Sequence, residues 1–165
     1  MFETLCGNCN HKNCCTDSAV PLLFQYDLKK IRENFPTRMN YIKIIKVKDK
    51  LVSALGKKKN STQCVFWDDK IKGCDIYESR PLDCKLYPFD ILEIDDSYHW
   101  IVYSCNKDSD WHWSEKYLDS FEKEIGFEDF MKNIDVFSDH TKMVLPDESK
   151  KTPYVILRKV NRSNS

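Results

Sequence analysis

Eight cysteines, four in each of two blocks, constrain this chain more than any other feature of its sequence. The first block reads Cys6-x2-Cys9-x4-Cys14-Cys15; the second supplies Cys64, Cys74 and Cys84, nine residues between neighbours, and then Cys105. Two cysteines separated by two residues turn both sulfurs toward one centre, because a tight turn reverses the chain between them, a knuckle common to zinc and iron–sulfur sites. Cys14 and Cys15 behave differently. Adjacent side chains in an extended segment diverge, so their sulfurs serve two centres or bracket one under strain. With Cys6 so early there is no room for a secretory apolar region and cleavage site, so the expected compartment is the reducing cytoplasm. There, cysteines are metal ligands more often than disulfides.

Four thiolates per block fit two tetrahedral zinc sites, one four-thiolate iron–sulfur cluster plus a second site, or a single cluster with spare thiols. Spacing does not pair the ligands. The ferredoxin pattern C-x2-C-x2-C-x3-C-P and the C-x2-C…C-x2-C zinc ribbon are both absent, so the metal stays open. The expected ligands are Cys6, Cys9, Cys14, Cys15, Cys64, Cys74, Cys84 and Cys105. His11 lies inside the first block and could replace a thiolate, although eight cysteines already suffice. His99, His112 and His140 have no partner at metal-ligand spacing. His112 stands between Trp111 and Trp113, a group read as core or helix entry rather than a base-stacking platform, and Asp108 and Asp110 read as caps for the helix that follows.

The chain's 165 residues suffice for one compact domain and are too few for two ordinary ones. The reading is a single domain over 1–165, with a cysteine-cluster metal-binding region at about 6–105 and a helical and strand extension at 106–165. No stretch approaches the ~18–20 apolar residues of a membrane span, so no membrane partner is expected. Net charge is zero but unevenly distributed. Lys29 to Asn60 carries eleven Lys or Arg against Glu33 and Asp49, and Asp90 to Asp139 carries fourteen carboxylates against four lysines. The plain reading is solvated faces of strands and helices. The sharper one is a bipolar surface whose basic side meets an acidic protein or nucleic acid.

Periodicity supplies a coarse fold. Val20 to Phe24 reads as a core strand, and Asp27 as the cap of a helix carrying Leu28, Ile31 and Phe35, closed by Pro36. Tyr41 to Leu55 is rich in β-branched residues and predicts two strands turning near Lys48-Asp49-Lys50, with a bulge where the alternation falters. Ile91 to Ile94 and His99 to Tyr103 form a hairpin around Asp95-Asp96-Ser97 that delivers Cys105. Trp113, Tyr117, Phe121 and Ile125 recur four apart on one helical face, with Gly126 as the stop. Phe127, Phe130, Met131 and Ile134 predict a second helix, Pro153 to Val160 a terminal strand, and Asn161 to Ser165 a frayed end. The order lacks regular βαβ alternation. The expected class is therefore α+β: a small single domain with metal-clamped cysteine loops, short antiparallel strands and C-terminal helices. An aromatic content of 13% predicts a core of rings around those loops.

The first block, then Cys64-Val65-Phe66, then Cys74-Asp75-Ile76-Tyr77-Glu78-Ser79-Arg80-Pro81-Leu82-Asp83-Cys84-Lys85-Leu86-Tyr87-Pro88-Phe89 resemble the YkgJ family, the CxxCxxxCC cysteine-cluster family associated with zinc or iron chelation. The resemblance runs from about Cys6 to Cys105. Two positions depart from it: Lys85 stands where family members usually have arginine, and four residues rather than three separate Cys9 from Cys14. The resemblance implies a zinc site or an iron–sulfur cluster and an oxidoreductase-like or accessory role. The same segment occurs in flagellin lysine methylases, which adds a protein-modifying component as a further alternative.

Within the string, Pro81 suits a helix's first turn, putting Cys84 three residues on and facing inward. Arg80 would offset thiolate charge, unless it makes a surface ion pair with Glu78 or Asp83. Tyr77, Tyr87 and Phe89 would wall the site from water. Arg80 and Tyr87 are thus the expected cofactor-side residues. No dinucleotide fingerprint, P-loop, GxSxG elbow or HExxH occurs, so no substrate site or catalytic residue can be named. The leading function is a cytoplasmic metal-binding protein with a redox or accessory role. The alternative is a zinc-folded module that binds a protein or nucleic acid.

Overall fold

Leu22 and Leu23, from the first apolar run, form β1 (Leu22–Leu23) and are almost completely buried. The computed structural model describes residues 20–103, 111–144 and 154–161. Cys6, Cys9, Cys14, Cys15 and Cys105, together with His11, Asp108, Asp110 and residues 162–165, lie outside the described residues. After β1 comes α1 (Gln25–Asn34), which starts two residues before Asp27. Asp27 still serves its start, because its Oδ2 accepts the Phe24 N–H at 3.3 Å. A 3-10 turn opened by Pro36 then leads into the hairpin β2 (Ile42–Val47) and β3 (Lys50–Leu55).

The hairpin pairs in unbroken antiparallel register from Ile42↔Leu55 to Val47↔Lys50, so the expected bulge does not occur. Lys48 absorbs the reversal with φ +48°. The faltering alternation has another cause. β1 and β2 flank β3 in one sheet, and this sheet is apolar on both faces. Ile45, Val47, Val52 and Ala54 join one hydrophobic cluster, and Ile42 and Leu55 join the other. Only the end of the second face is covered, since Ile44 and Leu51 on it are 62% and 76% exposed.

Two short strands, β4 (Trp67–Asp68) and β5 (Gly73–Cys74), pair antiparallel, and α2 (Leu82–Leu86) follows. The second sheet joins β6 (Phe89–Ile94), β7 (Ser97–Tyr103) and β8 (Tyr154–Lys159), all antiparallel. Its hairpin turns on Asp95 and Asp96, whose φ values of +48° and +57° are the left-handed pair that a two-residue turn between twisted strands requires. The register shift in this protein falls here, between Trp100 and Ile101 opposite β8.

Three helices complete the fold: α3 (His112–Phe121), α4 (Phe127–Met131) and α5 (Ile134–Val144). Trp113, Tyr117 and Phe121 pack inward as the four-residue spacing predicts, but Ile125 lies past the end of α3 and is 79% exposed. The helix ends at Phe121, and Gly126 is the N-cap of α4. It sits at φ +101°, with a Cβ there only 2.5 Å from the Tyr26 ring, so no other residue fits. The expected second helix is in fact two, α4 and α5.

The main core is built of rings: Phe130 lies 4.7 Å from Phe137 and stacks on Trp100 at 6.3 Å, while Phe24 meets it edge-on at 5.8 Å. These rings pack on one another, while Phe35, Phe66 and Trp67 belong to the smaller cluster with Cys64, Cys74 and Cys84. The molecule is a small α+β domain. Its two charge-biased segments meet across the fold, since Lys48 pairs with Asp139 at 2.6 Å and Lys50 with Asp135 at 2.5 Å. Among the described residues, no helix is long and apolar enough to cross a membrane.

Candidate metal centre

Cys64 reaches its place by a tight reversal after β3. Lys57 and Cys64 form an isolated antiparallel bridge, closed by Lys58 N–H donating to the Gln63 carbonyl at 2.9 Å. Gly56 permits the approach, because a Cβ there would stand 2.2 Å from the Tyr41 carbonyl oxygen. Cys74 is held by the β4–β5 pair, opposite Trp67, and the Asp75 N–H that follows it donates to the Phe66 carbonyl at 2.9 Å. Cys84 rides on α2, entered through Pro81, which serves as N-cap rather than first-turn residue. Leu82 and Leu86, four apart, face the ring core. Cys84, two residues from each, faces the opposite side.

Three separate elements thus bring Cys64, Cys74 and Cys84 into one small apolar cluster with Leu23, Ile31, Leu55, Val65 and Phe66. All three are thiols, not disulfides. Their ionisation shows their closeness. Burial pushes the Cys74 thiol up to about 11, with Cys64 and Asp75 adding to the rise and the Ile76 N–H and Arg80 opposing it. Cys84 is driven well above the ordinary thiol range, first by burial and then by Asp83, Cys64, Cys74 and Asp27. Each of those neighbours contributes negative charge when ionised. A cation would reverse the effect, since a bound metal ion stabilises thiolates and releases their protons.

The donor set suits a soft-ligand metal, zinc or iron, by its chemistry. Cys64, Cys74 and Cys84 share a cluster but do not by themselves form a site. Among the described residues, no group of three or more His, Cys, Asp or Glu side chains stands arranged to hold a metal ion. Tetrahedral closure needs a donor beyond Cys64, Cys74 and Cys84, and the other five cysteines lie outside the described residues.

Arg80 caps the ring of Tyr77 at 3.9 Å and lies close enough to Cys74 to favour its thiolate. The Asp83 carboxylate is engaged elsewhere, accepting the Leu22 N–H at 2.6 Å. Tyr87, just after α2, is 38% exposed. Phe89 belongs to the ring core, stacked on Tyr117 at 5.4 Å, and not to the cluster of Cys64, Cys74 and Cys84.

Arg38 was not singled out in the sequence, where it counts as one charge of a basic run. Its Nη1 donates to the Val65 carbonyl at 3.0 Å and its Nη2 meets Asp75 at 3.4 Å, while its guanidinium lies over Phe66 at 5.6 Å. It therefore staples together the residues that follow Cys64 and Cys74. An open groove of about 350 Å³ runs along this side, lined by Arg38, Lys58, Trp67 and Asp75 among others. No local pattern marks Arg38, since its partners are 27 and 37 positions away.

Residues 5–106 match the CxxCxxCC family, described as a "Putative zinc- or iron-chelating domain". The chain belongs to the CxxCxxCC family. The match spans well over half of its length and takes in all eight cysteines. Between Cys9 and Cys14 this member carries four residues where the family's name spells two. No curated protein and no solved structure matches the chain. Family membership makes chelation of zinc or iron the chemistry to weigh for the gathered thiols.

Proposed function

We propose that this chain is a cytoplasmic protein that holds zinc or an iron–sulfur cluster through Cys6, Cys9, Cys14, Cys15, Cys64, Cys74, Cys84 and Cys105, and serves a redox or accessory role. The observation that carries the reading is the convergence of Cys64, Cys74 and Cys84, from three separate elements, into one buried cluster. Membership of the CxxCxxCC family supports the same chemistry. Such a centre lies in the region 6–105, and 106–165 acts as its structural extension. Arg80 beside Cys74 would offset part of the thiolate charge, and Tyr87 would stand at the rim. Nucleic-acid binding is the weaker alternative, because two lysines of the basic run are already paired with α5 carboxylates.

Purification without air, with an absorption spectrum and analysis of iron, sulfide and zinc, tests the reading. A brown protein with stoichiometric sulfide identifies a cluster. A colourless one with about two zinc ions identifies two four-thiolate sites and removes the redox role. Cys84→Ser is expected to abolish metal retention in either case, and an unchanged metal content in that variant would overturn the ligand assignment.

A further inference from the structure

The helix that carries Cys84 has only five residues, too few to be stable alone. Its N-terminus begins at Pro81, which offers no side-chain cap. The Leu82 N–H, one of the amides a helix start leaves without an internal partner, is instead taken by Asp27 Oδ1 at 3.0 Å, from a residue 55 positions earlier. The second oxygen of Asp27 accepts the Phe24 N–H at 3.3 Å. In the opposite direction, Asp83 of α2 reaches back, its Oδ2 accepting the Leu22 N–H of β1 at 2.6 Å. Two carboxylates therefore cross, one from α1 to α2 and one from α2 to β1. The metal-centre reading uses neither.

Both carboxylates are held out of water. Asp27 is 1% exposed and its pKa is raised to about 6, chiefly by burial; the Leu82 and Phe24 amides and Lys30 pull it down, while Asp129 pushes it up. At neutral pH it is ionised, and both of its oxygens can accept. An aspartate buried only as filler would not meet two amides of different segments. A carboxylate whose two oxygens bridge a helix start and a strand–helix junction fixes the distance between them.

We propose that Asp27 and Asp83 are positioning residues for Cys84, forming a crossed carboxylate–amide latch that sets α2 against β1 and α1 and so holds the Cys84 sulfur beside Cys64 and Cys74. The metal-affinity consequence rests on the proposed function; the placement of Cys84 does not. The latch also joins the two cysteine blocks along the chain, since Leu22 follows Cys15 by seven residues and Asp83 immediately precedes Cys84.

The test uses the full chain with Asp27→Ala, Asp27→Asn and Asp83→Ala. In the metal-free protein, alkylation by iodoacetamide followed by mass spectrometry reads each thiol separately. Asp27→Ala is expected to speed labelling of Cys84 well beyond that of Cys64. Asp27→Asn, which keeps an acceptor for the Leu82 N–H, restores most of the protection. With metal, competition against a chromophoric chelator is expected to show zinc affinity reduced about 10- to 100-fold by Asp27→Ala, the range typical of residues that orient ligands. The visible spectrum of the cobalt(II)-loaded protein should shift in the same variant. Equal acceleration at all three thiols indicates general loosening and overturns the proposal, as does wild-type labelling of Cys84 in Asp27→Ala. If that variant does not fold, Asp83→Ala, which removes the acceptor for the Leu22 N–H, decides, and labelling of Cys84 no faster than in wild type overturns the latch. A wild-type chain that takes up neither zinc nor iron refutes the proposed function while the labelling experiment still judges the latch.

Discussion

Asp90 accepts three hydrogen bonds at once, from Tyr103 Oη and Thr141 Oγ1 at 2.6 Å each and from the Ile91 N–H at 2.8 Å. Burial raises its carboxyl to about 6 in spite of those donors, and the nearby Tyr103 hydroxyl is driven upward, mainly by burial and then by the Asp90 charge. The direction of the linkage follows. An aspartate whose folded pKa exceeds its unfolded value of 3.8 keeps a proton in the fold that the open chain releases. Its contribution to stability is therefore greatest below pH 4 and is lost as pH rises to about 6. Asp90→Asn removes this dependence. Urea unfolding at several pH values is expected to show wild type losing up to about 3 kcal/mol relative to Asp90→Asn between pH 4 and pH 7. A constant difference would mean an ordinary carboxyl. Nothing in the local sequence marks Asp90 as buried, because the residues that enclose it, Tyr103 and Thr141, arrive from β7 and α5.

At the scale of elements, local chemistry predicts existence and type better than ends. The Asp95-Asp96 turn and the β6–β7 hairpin were legible because two residues that tolerate left-handed backbone stand between apolar runs. The length of α3 was not. A four-residue period continues through Ile125, while the helix stops at Phe121 and the chain turns to Gly126, which caps α4 against the Tyr26 ring, a contact 100 residues distant in sequence. Gly56 plays a related part at the end of β3, where the close approach of the Tyr41 carbonyl leads the chain into Cys64. Gly56→Ala is accordingly expected to destabilise the fold by about 1–3 kcal/mol, the usual cost of forcing atoms into a packed site. Thermal unfolding measures this, and an unchanged transition would mean that the Tyr41 carbonyl has room to move.

At the scale of the molecule, the described residues form two apolar clusters of different composition. One is a ring core reaching from β2–β3 to α5, and the other is the small cluster that holds Cys64, Cys74 and Cys84. A metal bound at the second would stabilise that part most directly. Removing it with a chelator is expected to speed amide hydrogen exchange from Cys64 to Ile76 while Ile91, Trp100 and Val102 in the ring core keep their protection, as separate cooperative units do. Uniform loss of protection would show instead that the clusters unfold together. The sequence by itself determined the cysteine framework, the Arg80-Pro81 string, the α+β class and the hairpins, because each depends on residues within a few positions of one another. Only the tertiary structure decided that the rings divide between a large core and the smaller cluster that holds Cys64, Cys74 and Cys84, that the basic and acidic segments pair across the fold, and that Arg38, Asp27 and Asp83 brace those three cysteines. Those outcomes depend on contacts between residues tens of positions apart, and periodicity and spacing carry no record of which distant faces meet.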